Sequence, residues 1–127
     1  NPLSVQIKVE DVPVTFRTGL VVRTDKLQFP GYGSAFSVKG IIIGFDNNGK
    51  FATVVAERHS FDRLASGRRF NIEPWRLTPL HGNEEQQVRK NFDKFSDTEL
   101  KRFGTSFKRL NANRHFDGRG GKQEKIL

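Results

Sequence analysis

The chain has no cysteine and no methionine, and it has one tryptophan and one tyrosine against 12 phenylalanines. The lack of cysteine excludes disulfides, thiolate zinc sites and a cysteine nucleophile. No apolar run approaches the about 20 residues that a helix needs to span a bilayer, and the first residues show none of the features of a signal peptide. We therefore expect a cytoplasmic protein, free or associated with the nucleoid, with no membrane partner.

Groups that support catalysis are also scarce. The three histidines, His59, His81 and His115, lack the spacing of a shared metal site, and no carboxylate pattern completes one. The segment Asp46-Asn47-Asn48-Gly49 lacks the downstream ligands of a calcium-binding EF-hand, and a hairpin turn explains it. We therefore expect no enzyme activity, no metal and no cofactor. A small hydrolase or nuclease that uses His59 or His115 is the alternative, and it requires a metal site or a histidine–aspartate site.

Positive charge is what the chain has in excess. It carries 22 lysines and arginines against 14 aspartates and glutamates, which gives a formal net charge of +8. The excess is concentrated at the C-terminus, where residues 100–127 contain eight basic and two acidic side chains. A basic protein of this size attracts nucleic acid or another anionic surface. Solubility alone is the other explanation.

Hydropathy patterns predict β-strands in the first two thirds of the chain. Residues 3–9 and 12–16 alternate apolar and polar side chains on either side of Glu10-Asp11, as half-buried strands do. The most informative stretch, residues 38–57, consists of two β-branched segments around Asn48-Gly49. These two residues tolerate the positive φ of a tight turn, so the stretch predicts a hairpin.

Two further segments complete the predicted β region. Residues 24–34 are rich in glycine and proline, which predicts a long loop. Alternation resumes over residues 70–77 around Pro74, with Trp75 among the apolar positions, and predicts a last strand region. We therefore expect a β domain over residues 1–82.

Two amphipathic helices are predicted to follow, over residues 83–110. Asn83 is a candidate N-cap for a helix that extends to Phe95. Ser96 and Glu99 have the spacing of a capping box, so a second helix is expected from there to about Leu110. The helices should pack against the β domain or each other through Val88, Phe92, Phe95, Leu100, Phe103 and Phe107. The composition of residues 111–127 predicts a flexible basic tail.

Five to seven short strands with glycine-rich turns suggest a small closed barrel. The stretch from Gly40 to Glu57 resembles a KOW-type segment, and residues 14–80 together resemble an SH3-like or Tudor-like barrel. The resemblance implies an SH3-like (KOW-type) small β-barrel, followed here by two amphipathic helices and a basic tail. It also implies binding to nucleic acid, ribosomes or RNA polymerase. A basic barrel with a C-terminal extension further resembles the early transcription modulators of T-even phages.

Two basic segments contain the candidate phosphate contacts. Residues 58–69 place arginines around Phe61; arginine holds phosphate bidentately, and an aromatic ring can stack on an unpaired base. The outer face of the second predicted helix, continued by the tail, has few acids. The candidate nucleic-acid-binding residues are Arg58, Arg63, Arg68, Arg69, Lys101, Arg102, Lys108, Arg109, Arg114 and Arg119. The alternatives are a solvated loop, in which Asp62 pairs with an arginine, and an ordinary charged helix face.

Phe29, Tyr32 and Phe36 lie close together in the loop region, where they could form a cage for a methylated side chain. A cage needs three or four converging aromatic rings, so packing in the core is the default expectation. Together, the sequence features predict a protein that binds the phosphates of double-stranded DNA with little sequence selectivity. Such binding would modulate transcription or DNA organisation. RNA binding, and docking on RNA polymerase, a ribosome or a nucleoid protein, are the alternatives.

Overall fold

The computed structural model describes residues 2–58, 65–104 and 106–112. The strands in these residues are β1 (Ser4–Val9), β2 (Val12–Arg17), β3 (Val21–Thr24), β4 (Lys39–Asp46), β5 (Phe51–Ala56), β6 (Arg69–Ile72) and β7 (Leu77–Pro79). The helices are α1 (Gly82–Phe92), α2 (Asp97–Arg102) and α3 (Phe107–Ala112), with short 3-10 helices at Asn47–Gly49 and Pro74–Arg76. The fold is mainly β with C-terminal helices, as predicted. None of the described helices has the length and apolar composition to cross a membrane.

Strands β1 and β2 form a separate antiparallel hairpin. Val9 pairs with Val12, so only Glu10 and Asp11 lie in the turn. Both turn residues have positive φ, 52° and 65°, as a type I′ turn requires because its twist matches that of the strands. The interruption at Glu10-Asp11 is therefore a two-residue turn between paired strands.

The other five strands form an open antiparallel sheet in the order β6-β5-β4-β3-β7. Its β4–β5 pair is the hairpin predicted from residues 38–57. Asn47, Asn48 and Gly49 all have positive φ in its turn, which asparagine and glycine adopt at little cost. In a second connection, the loop between β3 and β4, Leu27 and Phe36 form backbone hydrogen bonds with each other.

The five-stranded sheet has a separate apolar cluster on each face. On one face the β1–β2 hairpin contributes Phe16, with Val5, Ile7 and Val14 packed around it, against Val22, Ile42 and Val54. On the other face the helices cover Val21, Ile41 and Val55 with Val88, Phe92, Phe95, Phe103 and Phe107, and Leu100 packs against this cluster. The predicted packing of the helices on the β domain is thus confirmed. Each large apolar side chain buried in this way stabilises the fold by roughly 1.5–3 kcal/mol.

A buried polar network fastens the helices to the rest of the molecule. Arg89 is 1% exposed, and its guanidinium lies 3.0 Å from the Glu85 carboxylate. The same guanidinium donates to the carbonyls of Gly19, at 2.9 Å, and Asn111, at 3.2 Å. Arg89 therefore joins α1, α3 and the segment after β2 through charge-assisted hydrogen bonds.

The second predicted helix is interrupted, which corrects the expectation of one helix up to Leu110. Helix α2 ends at Arg102, and Gly104 follows with φ +133°. Glycine ends helices because it adopts such angles without a steric penalty. The chain then resumes helical geometry at Phe107.

The predicted capping box at the start of α2 is confirmed. The Ser96 hydroxyl accepts a hydrogen bond from the Glu99 N–H, and the Glu99 carboxylate accepts one from the Ser96 N–H.

The other helix boundaries also shift. Helix α1 begins at Gly82 with His81 as its N-cap, and it ends at Phe92 rather than at Phe95. Helix α3 extends to Ala112, so the predicted tail cannot begin at Asn111. Asn111 is 4% exposed, and its side-chain amide is satisfied by hydrogen bonds with Arg89 and Asp93.

The region around Pro74 is not one strand, contrary to the alternation over residues 70–77. Strand β6 ends at Ile72, and Pro74 begins a 3-10 helix because its fixed φ suits the first helical position. This turn carries the chain from one edge strand of the sheet, β6, to the other, β7. Trp75 consequently lies outside the core, with 65% of its surface exposed.

Candidate nucleic-acid interface

Three of the predicted arginines come together beside the helices. Arg58, which follows β5, donates a hydrogen bond to the carbonyl of Lys94, between α1 and α2. Arg69, the first residue of β6, donates to the carbonyl of Arg102, the last residue of α2. The side chains of Arg58 and Arg102 both lie near Glu99, whose pKa they help to lower. We refer to Arg58, Arg69 and Arg102 as the arginine cluster.

Neighbouring strand ends position the arginine cluster. The Gly67 N–H donates to the Ala56 carbonyl at 3.0 Å, which holds the start of β6 beside the end of β5. Glu57 is 4% exposed, and its carboxylate accepts from the Asn91 side-chain amide at 2.8 Å. The contact fixes the chain leaving β5 against α1, so Arg58 emerges close to the junction of α1 and α2.

Glu99 is the acidic member of this region. Hydrogen bonds from the backbone N–H and the side chain of Ser96 contribute most to lowering the pKa of its carboxyl group, and the charges of Arg58 and Arg102 add to them. The group therefore stays ionised at neutral pH. Among the described residues, the three guanidinium groups of the arginine cluster thus accompany the carboxylate of Glu99, which leaves a local excess of positive charge.

A cleft of about 300 Å³ lies between Arg69 and α2. Its apolar lining consists of Phe95 and Phe103, whose rings meet edge to face with centroids 5.2 Å apart. Gly67 lies directly on these rings with φ +73°, and a Cβ atom there would stand 3.2 Å from Phe95 and 3.3 Å from Phe103. The close approach of the Gly67 backbone shapes this wall of the cleft.

The two lysines of the predicted helix face line an adjacent groove. Lys101 and Lys108 border a depression of about 290 Å³ together with Leu100 and Gly104. Lys108 Nζ lies 3.9 Å from Asp97 Oδ1, and both side chains are more than four-fifths exposed. Such an exposed pair is weak, since water screens it. Arg109 is also exposed, on α3.

Arg68 lies apart from the arginine cluster, which corrects its grouping with the other arginines of residues 58–69. Its guanidinium stands 5.7 Å from the centre of the Phe29 ring, a cation–π distance. Phe29 packs with Tyr32 and Phe36 in a small core against Val38 and Ala56. Phe29 is buried, so these rings pack as core side chains, which was the default expectation.

The remaining predicted positions lie outside the described residues. They are Arg63, Arg114 and Arg119 among the candidate contacts, and His59, His115, Phe61 and Asp62 among the alternatives. The third histidine, His81, is exposed at the start of α1. Over the described ranges, no group of three or more histidine, aspartate or glutamate side chains is placed to hold a metal ion.

Basic side chains on the β3–β7 side are paired with carboxylates. Arg76 contacts Asp25 at 2.9 Å through two nitrogens, and Glu73 lies 3.8 Å from its guanidinium. The hydrogen bond to Asp25 is the main cause that raises the pKa of Arg76. Lys39 and Arg23 approach Glu84 at 3.1 and 3.7 Å.

Sequence reasoning missed two features of the surface. Glu99 was identified only as a capping residue, although its position three residues before Arg102 places both on one side of a helix. Trp75 was assigned to the apolar side of a strand, and the preceding Pro74 was the signal that the strand is interrupted.

Comparison of the chain with protein-family models, with curated proteins and with solved structures finds no significant match. The resemblance to KOW-type barrels therefore stays a prediction from the sequence. Any functional assignment depends on the geometry and charge of the surface described above.

Proposed function

We propose that this protein binds nucleic acid, with double-stranded DNA as its principal ligand, through the arginine cluster and the adjoining Lys101 and Lys108. The observation that carries the proposal is the convergence of Arg58, Arg69 and Arg102 from three separate parts of the chain. Arg58 and Arg69 are each held by a backbone carbonyl, which is neutral, so the hydrogen bond orients the guanidinium without cancelling its charge.

The fold proposed for this function is an SH3-like barrel of the KOW type. Its support is the strand order: β3, β4, β5 and β6 are neighbours in sequence, and β7 returns to pair with β3. A 3-10 helix stands between β6 and β7. In this arrangement the β1–β2 hairpin and the helices are additions to opposite faces of a five-stranded unit.

Phosphate contacts of this kind would give binding with little sequence selectivity. Arginine and lysine side chains that neutralise phosphates release counterions, and the binding constant then falls steeply with salt. Contacts to phosphates position a protein on DNA without reading its bases. The protein would act on the nucleoid or elsewhere in the cytoplasm, where it would modulate transcription or the organisation of DNA.

The test is a salt series of binding to a fluorescein-labelled duplex of mixed sequence, measured by anisotropy. We expect micromolar or tighter binding at roughly 50 mM salt and a steep loss by roughly 200 mM. If about five phosphates are neutralised, the slope of log K against log salt should be about −4.5. A single-stranded RNA of the same length serves as the competing ligand. Absence of binding to both would overturn the proposal, and tighter binding to RNA would change its ligand.

A second function, docking on a protein such as RNA polymerase or a ribosomal protein, is favoured by Trp75. Its side chain is 65% exposed on a 3-10 turn, and tryptophan is frequent among the residues that dominate protein interfaces. Such docking should resist salt and should be lost in Trp75→Ala. The DNA affinity should remain the same in that variant if the two functions use separate surfaces.

A further inference from the structure

The cleft beside the arginine cluster combines three kinds of chemistry within about 300 Å³. One part of its lining is aromatic, from the small exposed parts of Phe95 and Phe103 (7% and 8%), and the basic residues Arg69 and Arg102 also line it. Glu99 adds a carboxylate. Its volume lies at the small end of ligand sites, which measure roughly 300–1,000 Å³. Phosphate tracking along a continuous duplex uses the guanidinium groups and leaves the cleft itself unfilled, although Phe95 and Phe103 also belong to the core and Glu99 also caps α2.

These three features match the three parts of a nucleotide. A flat base packs on an aromatic surface, a phosphate accepts hydrogen bonds from guanidinium groups, and an ionised carboxylate accepts from the N–H groups on the edge of a base. The carboxylate of Glu99 is held in place by its hydrogen bond from the Ser96 N–H at 2.8 Å. It is also an acceptor only, so it selects bases that present N–H donors.

We infer that the cleft receives one unpaired nucleotide of a bound DNA strand, with guanine as the preferred base. The base would lie against Phe95 and Phe103, and its phosphate would contact Arg69 and Arg102. The Watson–Crick edge of guanine presents two adjacent N–H groups, which suit a single carboxylate, so Glu99 would select this base. The inference rests on the proposed function, because the phosphate contacts of the flanking duplex bring the strand to the cleft.

The test uses three labelled duplexes of one sequence: fully paired, with a single bulged guanosine, and with a single abasic bulge. The abasic bulge has the same backbone and bend without a base. We expect the protein to bind the guanosine bulge about fivefold or more tightly than the abasic bulge. Free guanosine monophosphate at millimolar concentration is the competitor that distinguishes a strand site from a site for the mononucleotide.

Two matched variants on α2 test the role of Glu99. Glu99→Gln keeps a residue that completes a capping box and removes the carboxylate, whereas Asp97→Asn removes an exposed charge outside the cleft lining. Glu99→Gln should lose the preference for guanosine over the abasic bulge and still bind the paired duplex. Asp97→Asn should keep the preference.

Three results would overturn the inference while the proposed function stands. They are equal binding of the guanosine and abasic bulges, equal loss of preference in both variants, and displacement of the bulged duplex by the free mononucleotide. Failure of the fully paired duplex and of both bulged duplexes to bind would instead overturn the proposed function together with this inference.

Discussion

The basic side chains of the β3–β7 side and those of the arginine cluster are held by different partners. Arg76 has Asp25 at 2.9 Å and Glu73 at 3.8 Å, so its charge is largely compensated. Arg58 and Arg69 instead donate to backbone carbonyls, and Glu99 is the carboxylate that the described residues place near the cluster. A carboxylate neutralises the charge of an arginine side chain, whereas a neutral carbonyl group only fixes the orientation of that side chain. We therefore expect the kind of partner, rather than the number of arginines, to decide which surface binds an anion.

Charged side chains in the interior of the molecule can be compared in the same way. Arg89 and Glu85 are 1% and 4% exposed, and their ion pair is completed by carbonyl and amide groups. There the charge has a structural role, because removal of one partner leaves the other uncompensated away from water. The described residues therefore include basic side chains that are buried and paired, others that are partly exposed and paired, and others that are exposed and donate to backbone carbonyls.

The largest effect is expected at the buried pair. Arg89→Met should lower the free energy of unfolding by about 3–5 kcal/mol, because Glu85 stays buried without its cation. Urea unfolding followed by circular dichroism measures the change. Lys90→Met, at an exposed position next in the chain, is the control and should have little effect. Similar stabilities for the two variants would show that Arg89 is not needed to anchor the helices.

A smaller effect is expected from the lysine groove. Lys101→Gln with Lys108→Gln should weaken duplex binding by roughly two- to fivefold at low salt, since two flexible phosphate contacts are lost. Stability should not change measurably, because the Lys108–Asp97 pair is exposed. Lys8→Gln with Lys50→Gln, two exposed lysines of β1 and the β4–β5 turn, is the matched control. Equal losses in the two double variants would mean that total charge alone governs affinity.

The smallest effect is the pH dependence of the α2 cap. The pKa of Glu99 in the folded protein lies below its ordinary value of 4.5. Its carboxylate therefore contributes stability above about pH 4.5, and this contribution is lost as the pH falls through the lowered value. The urea midpoint of the wild-type protein relative to Glu99→Gln should be flat near neutral pH and should decrease below about pH 4.5. A difference that stays constant into acid would contradict this role of the cap.

Local patterns explain how much of the fold the sequence could predict. Alternation located β1 and β2, and Asn48-Gly49 located the β4–β5 turn. The capping box located the start of α2. These features depend on neighbours along the chain, so they can be read from a single segment. The interruption at Gly104 does not follow from local patterns alone: glycine has a poor helix propensity, but a single glycine does not fix where a helix ends. The positive φ at Gly104 separates Phe103 and Phe107, which both pack in the cluster on the sheet.

The candidate site was harder to predict because it depends on contacts between distant segments. Nothing near Arg58 in the sequence indicates that it meets the carbonyl of Lys94, 36 residues later. Arg68 and Arg69 are adjacent in sequence, yet one lies over Phe29 and the other meets α2, since successive side chains along an extended segment point to opposite sides. The burial of Arg89 was also not predicted from the sequence, although its spacing from Glu85 and Phe92 places all three residues on one helix face.

The most direct test of the central claim compares two triple variants that remove the same charge. Arg58, Arg69 and Arg102 are replaced by glutamine in one, and Arg23, Lys39 and Arg76 in the other. For the first, we expect at least about tenfold weaker duplex binding and a salt slope smaller by about 2.7, from three lost phosphate contacts. The second should keep a slope close to that of the wild-type protein. Equal slopes in the two variants, with both folded by circular dichroism, would contradict the account.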